Sequence, residues 1–372
     1  MKKVLIVIGS ALVNAGVPNV VMKTVRLLHN EYKFDIVVGN SAPGYFDKEF
    51  LSYGGEIFRY DKVTYGDGKF KIITGGKQTY NFIKGILKYR HYDIVHSNDG
   101  YLSGWILKAA SEFEVPVRIA HSHGTYIVRG KNIPVRIFKI RSMKKTVKYS
   151  TQRLACSNIA GETLFCGKEF VNVLNPIDLE QYYLIRKKPH QTINLIQIGY
   201  YCKLKNQLYT VKLLKELLNK GVAASASFIG YDDGSGYLSI LEDRIKKYNL
   251  ENQVTFYPPN ADKLLIFPQM DFLLLPSSSE GLPLTALEAQ ASHIYCIAST
   301  HVPEDSDMGM FYRININSSD SISKCADWII KNRNYRDTLN TEKISELNTP
   351  NWVHKIASIY ETSLNNSFLG GI

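Results

Sequence analysis

Short apolar runs recur along the first half of the chain, at VLIVIG (4–9), FDIVVG (34–39), EIFRY (56–60), YDIVHS (92–97), VRIAHS (117–122), RLACS (153–157) and VNVLN (171–175). Runs of this length, unbroken by polar residues, fit strands covered on both faces, as in a parallel sheet. Amphipathic stretches lie between several of them. In VPNVVMKTVRLLHN (17–30), Val17, Val20, Val21, Val25 and Leu28 share one face of a helix. Strands alternating with helices predict a parallel sheet with helices on both faces.

The pattern restarts after a polar stretch, LIRKKPHQT (184–192). Strands are expected at INLIQIG (193–199), AASASFIG (223–230), QVTFYP (253–258), DFLLLP (271–276) and HIYCIAS (293–299). LYTVKLLKELLNKG (208–221) is a helix ending in Lys-Gly, a good stop signal. The fold class is therefore α/β, with two Rossmann-like doubly wound domains facing across a cleft. The first spans 1–183, a linker 184–192 and the second 193–350; 351–372 is a last helix, with a return onto the first domain as one arrangement. Ligands of such sheets bind at the carboxyl ends of strands.

Composition adds little and charge adds much. At 372 residues the chain exceeds one ordinary core. Five cysteines without a CxxC pair fit a reducing compartment. The N-terminal apolar run competes as a signal peptide, but its length and flanks favour a buried strand. No stretch approaches the roughly 20 apolar residues of a membrane span. The net charge of +11 lies wholly in the first half: residues 1–185 hold 26 basic against 15 acidic residues, and residues 186–372 hold 19 of each. Residues 115–161 hold ten Lys/Arg and no acid. Such asymmetry points to an anionic partner: a membrane leaflet, a phosphate-bearing ligand or nucleic acid.

The densest candidate chemistry is SSSEGLPLTALEAQA (277–291). DFLLLP ends at the carboxyl edge of the sheet, Gly281 and Pro283 turn the chain, and Pro283 suits a helix's first residue. The helix then runs from about Leu284, with Glu280 in the loop and Glu288 in the second helical turn. The N–H groups between them and the positive end of the helix dipole form an anion site. Clamps on a nucleotide sugar are one reading of the two carboxylates; a helix-start charge plus a surface glutamate is the other.

Elsewhere, HSHG (121–124) reads as a metal chelate or as structural histidines, with no carboxylate partner evident. Asp305-Ser306-Asp307 matches a metal-binding D-x-D but reads better as a solvated helix start. The segment 130–153 interleaves Ile137, Phe138 and Ile140 with Arg136, Lys139 and Arg141, followed by Lys144 and Lys145. It suits an anionic lipid surface, or a helix packed on the sheet with a solvated basic face. No nucleic-acid-binding pattern is present.

At this point the chain resembles a family. SSSEGLPLTALEAQA resembles the E-x7-E motif of retaining family 4 glycosyltransferases, which have the GT-B fold. LNPIDLEQY (174–182) resembles their N-G-V-D-x-x-x-F segment, with Pro176 for Gly; VRIAHSHGTY (117–126) resembles the strand and histidine facing the donor sugar; NAGVPNV (14–20) resembles the glycine loop after the first strand. EAQASHIYCIASTHVPEDSDMG and ACSNIAGETLFCGK are most similar to the capsule and exopolysaccharide branch.

The resemblance implies roles. Glu288 holds the ribose diol, and Glu280 contacts the donor sugar. The N–H groups around Gly281, Leu282, Leu284 and Thr285 hold sugar hydroxyls and phosphate. Lys205 in IGYYCKLKNQ, following Gly199, matches the lysine of G-R-x4-K and neutralises the leaving diphosphate. His123 faces the donor sugar, and Gly16 belongs to the glycine loop. Tyr200 stands where the family has arginine, so a bidentate phosphate grip is missing, with Lys203 as a nearby substitute.

The expected function is a retaining, metal-independent glycosyltransferase needing no cofactor. It would carry sugar from a nucleoside diphosphate sugar, UDP foremost, held on the second domain, to a hydroxyl of a lipid-linked glycan steered by the basic first domain. It would be cytoplasmic, peripheral at the inner face of the cell membrane through its basic segment, with no nucleic-acid partner. Two alternatives stand beside it: a degenerate GT-B binding subunit supporting a partner transferase, and a GT-B sugar-nucleotide epimerase.

Overall fold

A computed structural model describes residues 1–14, 16–62, 71–125, 133–185, 191–333 and 339–369. The chain divides into unit 1, Met1–Pro176 with Thr349–Ile372, and unit 2, Ile177–Asn348.

In unit 1 the strands are β1 (Lys2–Ile8), β2 (Tyr32–Val38), β3 (Ile57–Arg59), β4 (Ile94–Ser97), β5 (Val117–Ser122), β6 (Gln152–Ala155) and β7 (Val171–Asn172). They form one parallel sheet in the order β3-β2-β1-β4-β5-β6-β7. Residues 4–8 of β1 are all buried, as a central strand with helices on both faces requires. The helices are α1 (Gly16–Leu28), α2 (Asp47–Ser52), α3 (Lys71–Leu87), α4 (Ser103–Glu112), α5 (Ile133–Tyr149) and α6 (Asn158–Phe165). Helix α1 buries Val20, Val21, Val25 and Leu28 as the periodicity predicts, together with Pro18 and Met22. Val17, expected on the same face, is only partly buried, because it sits in the first turn beside a cavity.

Unit 2 contains β8 (Ile193–Ile198), β9 (Ala224–Ile229), β10 (Val254–Tyr257), β11 (Phe272–Leu275), β12 (Tyr295–Ser299) and β13 (Phe311–Ile314). Their order is β10-β9-β8-β11-β12-β13, again all parallel. Strand β13 was not legible in the sequence: it is a half-buried edge strand with no long apolar run. The helices are α7 (Leu179–Tyr183), α8 (Gln207–Asn219), α9 (Tyr237–Lys247), α10 (Lys263–Ile266), α11 (Leu284–Ala291), α12 (Ser321–Asn332) and α13 (Thr341–Ser345). Residues 177–183 lie in unit 2, where Ile177 donates to the Leu347 carbonyl at 2.8 Å and Tyr182 packs near Phe267.

The last helix, α14 (Thr349–Leu369), belongs to unit 1 and packs against α1 and β5. It buries Trp352, Val353, Ile356, Tyr360 and Leu364. Among the described residues no helix is long and apolar enough to cross a membrane.

Both sheets reverse their strand order beside their first strand, between β1 and β4 in unit 1 and between β8 and β11 in unit 2. In open α/β sheets the crevice for a ligand lies outside the carboxyl ends of the strands at this switch point.

Candidate functional site

In unit 2, β8 runs out at Gly199, whose φ of +149° strains any other residue. A Cβ there would lie 3.4 Å from Lys205 Cε, so the lysine stem crosses directly over the glycine. Below it, a Cβ at Gly230 would collide with the Gly199 carbonyl, which keeps the ends of β8 and β9 close.

The loop from 199 to 206 is fastened from two sides. Gln197, buried on β8, donates to the Lys205 carbonyl at 2.7 Å and accepts from Thr210 Oγ1 at 2.7 Å. Asn206 takes a left-handed conformation at φ +56°, and its amide reaches the Pro276 carbonyl at 3.3 Å. The Ser278 N–H donates to the Leu204 carbonyl at 2.9 Å, joining this loop to the one after β11.

That fastening brings Lys205 and Glu280 together: Nζ lies 2.6 Å from Oε1, with the lysine side chain 22% and the glutamate 9% exposed. A charge-assisted contact this buried is held in place, unlike a surface pair. Helix α11 starts three residues beyond Gly281. Pro283 is its cap residue and Leu284 its first, the start expected for this helix. No side chain caps this end. Leu282 is buried and anchors the turn, while Leu284 and Thr285 are half-buried.

Glu288 is placed apart from the Lys205 pair. Its Oε2 is 2.5 Å from Lys263 Nζ of α10. Tyr182 of α7 also bonds to it, and burial followed by the charge of Glu288 pushes the phenol well above its usual range. Neither partner was foreseen. Tyr182 is the aromatic of LNPIDLEQY, so that half was in view; Lys263 lies 25 residues away with no motif of its own.

Tyr200 is 42% exposed and packs against Tyr231 with ring centroids 5.7 Å apart. Its carbonyl accepts from Gln207 Nε2 at 2.9 Å. Lys203 is exposed on the outer side of the same loop.

In unit 1, His123 follows β5 and is gripped by two amides: Nε2 lies 2.8 Å from Asn98 Oδ1 and Nδ1 lies 3.2 Å from Asn175 Oδ1. Behind it stand His121 and His96. The rings of His121 and His123 are 4.0 Å apart, so the two residues keep a shared face although β5 has ended. His96 Nε2 lies 3.3 Å from His121 Nδ1, and His96 Nδ1 lies 2.7 Å from the buried Tyr360 hydroxyl of α14. Burial lowers all three: His96 to about 3, His123 to about 4, and His121 well below its ordinary value. At neutral pH the row is uncharged. Among the described residues no group of three or more His, Cys, Asp or Glu is arranged to hold a metal ion. Asp305 and Ser306 lie in a short 3-10 turn, Glu304–Ser306.

Gly16 begins α1 at φ +50°, with open space where a side chain would go; Ala15 lies outside the described residues. Residues 130–132 of the basic segment and 186–190 of the polar stretch also lie outside them. The remainder of the basic segment is α5, which turns Val135, Phe138 and Met143 inward and leaves Ile133, Ile137 and Ile140 exposed beside Arg136, Arg141 and Lys144. Phe138 is thus part of the packing, stacked with Trp105 at 6.3 Å, and not of the outer apolar row.

Residues 184–344 match the family described as glycosyl transferases group 1. The chain is 27% identical over 346 residues to EpsF of Bacillus subtilis (strain 168), a glycosyltransferase by assignment, covering 89% of this chain and 87% of that one. It is 26% identical over 304 residues to the capsular polysaccharide biosynthesis glycosyltransferase CapH of Staphylococcus aureus, 78% and 79% covered. It is 23% identical over 302 residues to a UDP-Gal:alpha-D-GlcNAc-diphosphoundecaprenol alpha-1,3-galactosyltransferase of Escherichia coli, 77% and 76% covered. Its fold matches that of Anabaena HepE, solved with UDP, at TM-score 0.77 and 13% identity, covering 97% of this chain and 100% of that one. The fold is GT-B, as expected.

Proposed function

From the premise that this chain is a group 1 glycosyltransferase of the capsule and exopolysaccharide type, we propose that it transfers a sugar from a UDP sugar to a hydroxyl of a lipid-linked glycan, retaining anomeric configuration. The observation that carries the reading is the fixed Lys205–Glu280 pair beside the uncapped start of α11, at the switch point of unit 2. A cation and a set of backbone N–H groups aimed at one spot suit a diphosphate.

In the reaction, the acceptor oxygen bonds to the anomeric carbon as the bond from that carbon to the phosphate oxygen breaks on the same face. The departing phosphate oxygen takes the acceptor proton. Lys205 and the N–H groups of Leu284 and Thr285 balance the charge that develops on it, and Glu280 holds sugar hydroxyls. Glu288 accepts from the ribose diol, released from Lys263 or sharing it. No step requires a metal ion. UDP in HepE and the diphosphoundecaprenol-linked acceptor of the E. coli relative support the donor and acceptor classes. The outer face of α5, with Ile133, Ile137 and Ile140 among cations, supports seating on an anionic leaflet at the cytoplasmic side of the membrane, where a lipid-linked acceptor resides.

Tyr200 favours one competing reading, a donor site that has lost transfer and serves a partner enzyme. Sugar release from a panel of UDP sugars separates the two. Wild type turns over at least one, while Lys205→Ala and Glu288→Ala do so far more slowly. Equal turnover in all three overturns the site, and no UDP-sugar affinity by calorimetry favours the binding subunit.

A further inference from the structure

Each glutamate of the 280–288 segment faces a lysine: Glu280 meets Lys205, and Glu288 meets Lys263. The reaction above gives work to both members of the first pair and only to the glutamate of the second. Lys263 is the first residue of α10, and the Asp262 carboxylate fixes that end by accepting from the Leu264 N–H at 2.9 Å. Lys263 Nζ lies 2.5 Å from Glu288 Oε2 and 6.0 Å from the ring centre of Tyr182. Three helices of unit 2, α7, α10 and α11, thus meet at one carboxylate.

The three side chains lie at different depths. Tyr182 is buried, the Glu288 side chain is 12% exposed and that of Lys263 28%. Tyr182 therefore bonds the carboxylate from the inside and sets its orientation. Lys263 bonds it from the solvent side, where a ligand arrives.

Both members of the outer pair have bonding capacity left. A carboxylate offers about four lone-pair sites, and Lys263 and Tyr182 take two of them. An ammonium carries three N–H groups, and among the described residues only Glu288 accepts from Lys263. A phosphate is drawn to the lysine and repelled by the glutamate; a metal cation meets the reverse. A lone hydroxyl leaves one member unused. Two adjacent hydroxyls use both: one donates to the carboxylate, and its neighbour accepts from the ammonium. The glutamate alone offers nothing to a hydroxyl oxygen that accepts, so the lysine adds a second contact to what the site reads.

We infer that Lys263 is a nucleoside-binding residue beside Glu288: one ribose hydroxyl donates to the Glu288 carboxylate, the adjacent one accepts from the Lys263 ammonium, and Tyr182 is the positioning residue behind them. The inference rests on the reading of unit 2 as the donor half. The test is calorimetry on the full chain with UDP, 2′-deoxy-UDP and 3′-deoxy-UDP. A hydroxyl bonded to a charged group contributes roughly tenfold or more in affinity, so both deoxy nucleotides should bind wild type that much more weakly than UDP. In Lys263→Met one of these two penalties should shrink to about twofold or less while the other persists. In Glu288→Gln the other should shrink, and Tyr182→Phe should reduce that same one alone. Lys263→Arg, which keeps the cation, should restore both. Two penalties that stay intact in Lys263→Met make the ammonium a mere counter-ion, and two that vanish together make it only a prop for Glu288; either result overturns the inference. If Lys263→Met does not fold, Glu288→Gln carries the test, and loss of both penalties there overturns it equally. Wild type that binds UDP with no penalty for either deoxy nucleotide overturns the inference and leaves the donor half standing. Wild type that binds none of the three overturns the donor half itself.

Discussion

At the switch point of unit 1 the polar groups are sunk beneath the surface: Asp99 is 7% exposed, its oxygen Oδ2 is unpartnered, and three neutral histidines run back to Tyr360. At the switch point of unit 2 they stand at a loop edge, where Lys205 is 22% exposed, Tyr200 42%, and a helix start lies open beside them. The topology around the two points is the same, and each holds a lysine–carboxylate pair of similar exposure, 16% and 7% for Lys62 and Asp99 against 22% and 9% for Lys205 and Glu280; what differs is the surroundings, a neutral histidine row in unit 1 and a helix start without a side-chain cap in unit 2. A helix start without a side-chain cap beside Lys205 suits a ligand that brings negative phosphates. One fold used twice thus carries two chemically unlike switch points.

The largest expected effect falls on the switch point of unit 2. Lys205→Ala removes charge stabilisation from the leaving group, so turnover of the preferred UDP sugar should drop by about 10²–10³. Turnover equal to that of wild type would remove Lys205 from the donor site.

Next comes Glu288→Ala. A charged acceptor on a ribose diol contributes about 1.5–3 kcal/mol, so UDP should bind roughly 10–100 times more weakly by calorimetry. An unchanged Kd would return Glu288 to a structural role with Lys263 and Tyr182.

The histidine row predicts an acid weakness. His96 and His123 titrate at about 3 and about 4 when folded, against an ordinary 6.5. Between pH 6.5 and 4 the unfolded chain binds protons that the folded row refuses. Stability is therefore intact above pH 6.5 and falls with pH, by about 1.4 kcal/mol per unit per histidine. Tm followed from pH 7 to 4.5 should fall steeply in wild type and less so in His96→Gln. Equal slopes would mean that the row is not held neutral.

The smallest effect concerns Tyr200→Arg. Restoring a guanidinium at a loop edge should tighten UDP roughly fivefold, because the position is exposed enough for solvent to screen the gain. Weaker binding would mean that the Tyr200–Tyr231 pair itself carries the uridine or the sugar.

The sequence made the architecture readable because buried parallel strands are written as local apolar runs: VLIVIG and FDIVVG became β1 and β2 with register Ile6 to Ile36. Glu280 and Glu288 entered as candidates through a strand-turn-helix pattern, and Lys205 through its resemblance to the lysine of G-R-x4-K. It missed β13, whose edge position demands little burial. It missed Lys263 and the Lys62–Asp99 pair for a different reason. Those contacts join residues 25 and 37 positions apart through sheet order, and neither HSNDG nor NADKLL carries a periodic or motif signal. His96 entered only as a strand residue; its role arises because β4 and β5 are neighbours in the sheet.

The most direct test is calorimetric titration of UDP into the wild-type chain and into Lys205→Ala, at one salt concentration near pH 7. The account predicts saturable binding to wild type and at least tenfold weaker binding to the variant. Wild type that takes up no UDP, or a variant that binds it equally well, would contradict the assignment of unit 2 as the donor half.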